Sequence, residues 1–331
     1  MPRTAMAPVF TGAGKIELRE RTYRDPGPGE LLLRVGANAI CGTDREQYFQ
    51  GSQVVPGHEA AGTVVAAGEG TGTAEGTRGA VFLMDYCGTC RSCALGHTNQ
   101  CFAKRNDMGF TADGGYGPYE IVHESNFFPV PAEVSAADAT LLLDVMGTSS
   151  HALDRLDRMR ADVESLFVAG AGPIGLGLVA MARIRYGADV PIYVSDLSPW
   201  RLDFAERLGA TPVRGAMPGA VDAAVDSTGK TTARRQALDA LGKRGVLVCV
   251  GHGEGLTLDV SADLIAPERT VMGSEYFAYA EMPANLDVLL AHRAALSAII
   301  THRLPAAELA SAFELFLGGE TGKVVVVQDE S

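Results

Sequence analysis

The sequence predicts an α/β protein of two units, a β-rich unit and a doubly wound parallel sheet. Three observations carry that expectation. Residues 1–130 break into short apolar runs, such as Glu30-Leu31-Leu32-Leu33-Arg34-Val35 and Ala61-Gly62-Thr63-Val64-Val65, separated by turns such as Asp25-Pro26-Gly27-Pro28-Gly29. Residues 166–196 read strand, glycine turn, helix, strand, acid. The chain has 331 residues, enough for two domains.

Composition narrows the class. Hydrophobic residues make up 47% and charged residues 21%, which suits a soluble chain with a full core. A net charge of -12 and the lack of a Lys/Arg cluster argue against a nucleic-acid surface. The first residues hold no long apolar stretch, so no signal peptide is expected. No run approaches the roughly 18 to 20 apolar residues of a membrane span. A cytoplasmic chain without a membrane partner is expected. Six cysteines in such a chain favour metal ligands over disulfides.

In the first half, Cys41-Gly42-Thr43-Asp44 and Gly57-His58-Glu59 offer a thiolate and an imidazole. Both are zinc-binding types, yet two ligands do not make a site. Cys41 equally suits a small buried apolar position, and His58 a satisfied core histidine. The pattern Cys87-x2-Cys90-x2-Cys93-x7-Cys101 is more specific. Such a lobe can present four thiolates tetrahedrally at about 2.3 Å from a zinc ion. Protein then fills every coordination position, so this zinc is expected to be structural. Disulfide pairing is the competing reading.

In the second half, the run Leu166-Phe167-Val168-Ala169 leads directly into Gly170-x-Gly172-x-x-Gly175. Gly170 permits a tight turn, Gly172 admits a pyrophosphate close to the main chain, and Gly175 lets helix and strand pack closely. A helix is expected over residues 176–184, and its N-terminal side, with Pro173 and Ile174 in the glycine turn, offers free N–H groups and the positive dipole end to phosphate. Residues 191–194 form the next strand. Asp196, 24 residues after Gly172, is placed to accept from the adenosine ribose hydroxyls and to repel a 2′-phosphate. NAD is therefore expected over NADP. Arg201 is expected over the same ribose, or alternatively as a charge on a helix surface.

Taken together these motifs resemble the zinc-containing medium-chain dehydrogenases and reductases, the alcohol, sorbitol and polyol dehydrogenase superfamily. The resemblance runs through Pro28-Gly29-Glu30, Cys41-Gly42-Thr43-Asp44, Pro56-Gly57-His58-Glu59, the four-cysteine lobe, Asp113-Gly114-Gly115-Tyr116 and the glycine turn. It implies a GroES-like β-rich catalytic domain over residues 1–150 and 290–331, and a Rossmann NAD-binding domain over 151–289. It also implies a catalytic zinc in the cleft between them. In sorbitol-type relatives an acid stands seven residues before a His-Ala pair, and Asp144 holds that place before His151-Ala152. The implied ligands are Cys41, His58 and Asp144, with Glu59 as a fourth at rest; a helix N-cap is the plainer reading of Asp144.

The implied reaction is oxidation of a secondary alcohol to a ketone with hydride transfer to NAD. Thr43 passes on the proton, and Asp44 fixes the tautomer of His58. Where many relatives carry a relay histidine this chain has Glu46, so the proton leaves by Glu46 or by water. Gln47, Tyr48, Asp85, Asp107 and Glu275 are expected near the site and favour a hydroxylated small-molecule substrate such as a polyol, sugar, cyclitol or amino sugar. A simple aliphatic alcohol is the alternative, as is a non-catalytic dinucleotide-binding relative.

Further strands are expected at 221–229, 245–251, 270–274 and 322–327, with an amphipathic helix over 304–317. Cys249 is read as buried and inert. In relatives the strand at 270–274 pairs across a dimer, so a homodimer or homotetramer is expected. His97, His123, His252, His292 and His302 show no partner pattern.

Overall fold

The computed structural model describes residues 3–217 and 219–328. Its first sheet collects the short apolar runs of the N-terminal half. The spatial order is Ile300–Pro305, Lys323–Val327, Glu30–Ala39, Ala60–Ala67, Arg78–Val81 and Phe127–Pro129, with Tyr119–His123 also paired to Glu30–Ala39. All pairings are antiparallel except that of Ile300–Pro305 with Lys323–Val327. The C-terminal strands thus return to the sheet that the N-terminal half builds. A hairpin of Arg3–Gly12 and Lys15–Tyr23 lies against the same unit through Ala7, Phe10 and Tyr23.

The second sheet is wholly parallel. Its order is Thr211–Pro212, Ile192–Ser195, Leu166–Ala169, Val221–Asp226, Leu241–Cys249 and Thr270–Gly273. Numbered along the chain this is 3-2-1-4-5-6, the doubly wound order, whose ligand crevice opens at the carboxyl ends of the strands where the order reverses. Leu166–Ala169 is buried throughout, as a strand covered on both faces must be.

Several boundaries differ from expectation. The helix after the glycine turn starts at Pro173 and runs to Tyr186, because Pro173 suits the first helical position. Residues 304–317 are not one helix. They end the strand Ile300–Pro305 and then supply the helix Leu309–Gly318, with extended backbone at Pro305 between them. The N-terminal half is not purely β either. Asp44–Gln50 forms a helix too short to leave a periodic signal.

Residues 136–159 join the units. A π-helical turn, Asp144–Thr148, runs straight into the helix Ser149–Met159. Two glycines let this turn settle. A Cβ on Gly147 would lie 2.3 Å from the Phe277 ring, and one on Gly177 would lie 2.2 Å from the Val145 carbonyl oxygen. One apolar cluster spans both units, from Ala37 and Phe82 through Leu141, Leu142, Leu143 and Val145 to Leu166, Val168 and Leu176. Among the described residues no helix is long and apolar enough to cross a membrane.

Candidate functional site

The π-helical turn brings Asp144 to face Cys41 and His58. Cys41 Sγ lies 3.0 Å from Asp144 Oδ2, and His58 Nε2 lies 3.6 Å from the same oxygen. Together with Glu59 these residues offer four ligand atoms, all within 4.8 Å of one another. Cys41 and His58 end up as neighbours because Ala39 N donates to the Glu59 carbonyl at 3.1 Å, which pairs their flanking backbone. Asp44 supports the pair from behind. Its Oδ1 lies 3.0 Å from His58 Nδ1, and its Oδ2 accepts from Cys41 N at 3.0 Å and Tyr116 OH at 2.6 Å. With Nδ1 donating to that carboxylate, Nε2 is the nitrogen that a neutral His58 would offer to a metal.

Electrostatics set this cluster apart from an ordinary core. Burial pushes the Cys41 thiol up, with Asp144 adding to the shift. Burial resists protonation of His58, but Asp44 and Asp144 outweigh it and raise its pKa well above the ordinary value. Burial raises Asp144, but the hydrogen bond and charge of His58 take it well below the carboxylate range. Glu59 is pushed up to about 8 by burial and by Asp144, against the pull of Lys323. Lys323 Nζ pairs with Glu59 Oε1, and both side chains are fully buried. Among the described residues Glu59 Oε2 is buried without a hydrogen-bond partner. An orphaned carboxylate oxygen beside a thiol, an imidazole and a second carboxylate is the donor set of a divalent transition-metal site.

The four cysteines of the lobe also converge, with their sulfurs within 4.8 Å of one another. All six cysteines are free thiols, so the disulfide alternative is not realised. Main-chain N–H groups point at the sulfurs: Cys90 N to Cys87 Sγ at 3.3 Å, Cys93 N to Cys90 Sγ at 3.5 Å, and Cys87 N to Cys101 Sγ at 3.3 Å. Such bonds favour thiolates, and those from Thr89 and Cys90 bring Cys87 down to about 6. The lobe holds little apolar material of its own, which is how metal-tied loops are built.

At the glycine turn, Gly170 has φ +95°, a left-handed conformation that favours glycine. Gly175 is needed for closeness, since a Cβ there would lie 1.9 Å from the Gly170 carbonyl oxygen. Gly172 differs. Its φ is ordinary, and a Cβ there would meet only Arg201 Nη1, at 3.8 Å. The space above Gly172 is therefore open in front of the helix N-terminus at Pro173-Ile174, a fit to a pyrophosphate. Asp196 is held at the end of the second strand by Ala171 N at 2.7 Å and Ser198 N at 2.8 Å. Arg201 Nε donates to the Thr321 carbonyl at 3.3 Å, which ties this unit to the C-terminal segment.

Known families match along most of the chain. Residues 27–132 match the alcohol dehydrogenase GroES-like domain, and residues 173–291 match the zinc-binding dehydrogenase family. The chain belongs to the zinc-binding dehydrogenase family. It is 30% identical to an L-threonine 3-dehydrogenase of Saccharopolyspora erythraea, over 94% of this chain and 95% of that one. Two solved structures share its fold. An acetophenone reductase of Geotrichum candidum in complex with NAD has a TM-score of 0.85 at 25% identity and covers 99% of this chain and 98% of its own. An alcohol dehydrogenase of Thermus sp. ATN1 has a TM-score of 0.87 at 25% identity, covering 98% of this chain and 100% of its own. The protein is thus an oxidoreductase of the zinc-type alcohol dehydrogenase kind.

Several residues expected near the site are already engaged by other protein groups. Tyr48 is buried elsewhere, its ring stacked 4.7 Å from that of Phe313. Asp85 is paired with Arg105 at 2.5 Å and Asp107 with Lys104 at 2.7 Å. Gln47 donates to the Gly109 carbonyl at 2.8 Å. Glu275 does line a cleft of about 940 Å³, with His151, His252 and Ser274. Thr43 and Glu46 are exposed on the turn and helix after Cys41. Cys249 is half-buried and lines the same cleft, because the strand's last residue emerges at the crevice. His252 pairs with Glu275 at 3.0 Å, and His123 and His302 contact Ser125 and Thr301, so these three have partners. Sequence reasoning missed Lys323 and Tyr116 as supports of the dehydrogenase site. The one available signal was a lysine opening the apolar run Val324-Val325-Val326-Val327.

Proposed function

We propose that this dehydrogenase oxidises a secondary alcohol to a ketone, with zinc at Cys41, His58 and Asp144 and with NAD as hydride acceptor. The convergence of those three side chains beside the helix that follows the glycine turn carries the reading: Ser149, one residue past the π-helical turn, donates to the Ile174 carbonyl at 3.3 Å. When bound, zinc lowers the pKa of an alcohol and NAD takes up the hydride. The protein's own residues orient and move the proton. Asp44 holds His58 in one tautomer, Thr43 accepts the substrate proton, and exposed Glu46 receives it in place of a histidine, with water as the other exit. Glu59 stands by as a fourth ligand, held by Lys323. The four-cysteine lobe holds a second, structural zinc.

Residues 1–150 and 290–331 form the catalytic domain in this reading, and 151–289 the NAD-binding domain. The membership of the two sheets supports that division. Asp196 favours NAD over NADP. The edge strand Thr270–Gly273 follows a segment with exposed Val260 and Ile265, which suits pairing across a homodimer or within a homotetramer.

A hydroxylated substrate such as a polyol, sugar, cyclitol or amino sugar is the first reading of specificity, resting on the Glu275 and His252 pair in the cleft. A simpler secondary alcohol is favoured by Phe110, whose ring lies 5.0 Å from that of His58, and by the prior pairing of Asp85 and Asp107. A panel of polyols, sugars, amino sugars and aliphatic secondary alcohols, followed by NADH absorbance, decides between them. Turnover of none of these overturns the function itself.

A further inference from the structure

We infer that Arg234 is a positioning residue for the nicotinamide half of the cofactor, an inference that rests on the NAD reading above. Arg234 lies on the helix Thr231–Asp239 with its side chain largely buried. Its Nε donates to Asp226 Oδ2 at 2.9 Å, and its other nitrogens donate to the carbonyls of Gly251 and Glu254. Asp226 is the last residue of the fourth parallel strand and is fully buried. Its carboxylate also accepts from Thr228 N at 2.9 Å, Thr228 Oγ1 at 2.6 Å and Gly229 N at 3.2 Å. Its carbonyl accepts from Val250 N at 2.8 Å and Gly251 N at 3.0 Å.

The turn after the fourth strand is thereby fixed to the turn after the fifth. Glu254 N donates to the Gly229 carbonyl at 2.7 Å, and Thr231 N to Glu254 Oε2 at 2.9 Å. The backbones leave no slack. A Cβ on Gly229 would lie 1.8 Å from the His252 carbonyl oxygen, and one on Gly251 would lie 2.2 Å from Gly229 N. Residues 227–230 and 250–254 therefore behave as one body, with the guanidinium of Arg234 as its tie. Arginine suits the task because its planar fork meets a carboxylate and two carbonyls at once, which the single ammonium of lysine does not.

That body is a wall of the cleft. Arg234, Gly251, His252 and Gly253 line it, and His252 pairs across to Glu275 beyond the sixth strand. These turns stand at the carboxyl ends of the fourth and fifth strands, whereas Asp196, assigned to the adenosine ribose, follows the second. Moving the wall should disturb the nicotinamide end of NAD and leave the adenosine end alone.

The test is a binding titration of the zinc-loaded protein with NADH and, separately, with ADP. Arg234→Met is expected to weaken NADH binding by about tenfold, the scale of one charge-assisted hydrogen bond, while ADP affinity stays within about twofold. Arg234→Lys is expected to restore part of the NADH affinity. Since Arg234→Met strands a buried carboxylate, the double variant Asp226→Asn/Arg234→Met supplies the same comparison if the single one does not fold. Unchanged NADH affinity, or equal losses for NADH and ADP, overturns the positioning role. A wild-type protein that binds neither ligand overturns the cofactor reading, and this inference with it.

Discussion

Asp44 and Asp144 flank His58 from opposite sides, one on each ring nitrogen. Their substitutions should separate. Asp144→Asn removes an anionic ligand and should abolish turnover together with one of the two metals. Asp44→Asn leaves all ligands in place and should weaken zinc binding about 10- to 100-fold in a chelator competition, the usual cost of losing a carboxylate behind a ligand histidine. Glu46→Gln tests the proton exit. It should lower kcat at least about 100-fold with little change in KM if Glu46 is the acceptor, whereas unchanged kcat assigns the exit to water. Glu120 is a different kind of residue. It is fully buried, both its oxygens lack partners among the described residues, and burial raises its pKa well above the ordinary value. The folded state therefore keeps its proton after the unfolded chain has lost it, so stability falls as pH rises above about 4. Glu120→Gln should flatten that fall by up to about 1.4 kcal/mol per pH unit, measured by denaturant melts at pH 5 and pH 7.

The π-helical turn Asp144–Thr148 is the element that carries Asp144, the proposed third zinc ligand, toward Cys41 and His58. Its seat depends on the absence of side chains at Gly147 and Gly177. Gly177→Ala should cost about 1 to 3 kcal/mol, as overpacking does, and should also raise the KM for NAD, because the displaced helix begins at the glycine turn. A thermal melt paired with steady-state kinetics checks both halves. At this scale the sequence shows its strengths and its limits. The four-cysteine lobe, the glycine turn and Cys41-Gly42-Thr43-Asp44 are legible because their chemistry lies within a few adjacent residues. The π-helical turn is not, since nothing in Asp144-Val145-Met146-Gly147-Thr148 distinguishes it from an ordinary helix start. Lys323 is invisible for another reason: its partner Glu59 lies 264 residues away, and only the antiparallel pairing of Lys323–Val327 with Glu30–Ala39 brings the two together. Tyr48 misled because it neighbours site residues in the chain while its ring turns inward to Phe313.

Across the whole molecule, one apolar cluster runs through both sheets, and Cys41, His58, Glu59 and Asp144 converge where the joining segment crosses it. The two units were legible as a β-rich half and a doubly wound half, and the resemblance implied the return of residues 290–331 to the first, but not the strand pairings that make that return, because long-range strand pairing leaves no local mark. Zinc bound at two places should stabilise the folded chain in proportion to the logarithm of its free concentration, so a chelator should lower Tm and abolish NAD-linked turnover together. Retained turnover after complete metal removal would instead describe a zinc-independent reductase of the same fold. The most direct measurement is anomalous diffraction at the zinc edge from crystals of the zinc-loaded protein. The expected map has one peak among the sulfurs of Cys87, Cys90, Cys93 and Cys101 and a second between Cys41, His58 and Asp144; a single peak, confined to the cysteine lobe, would contradict the account.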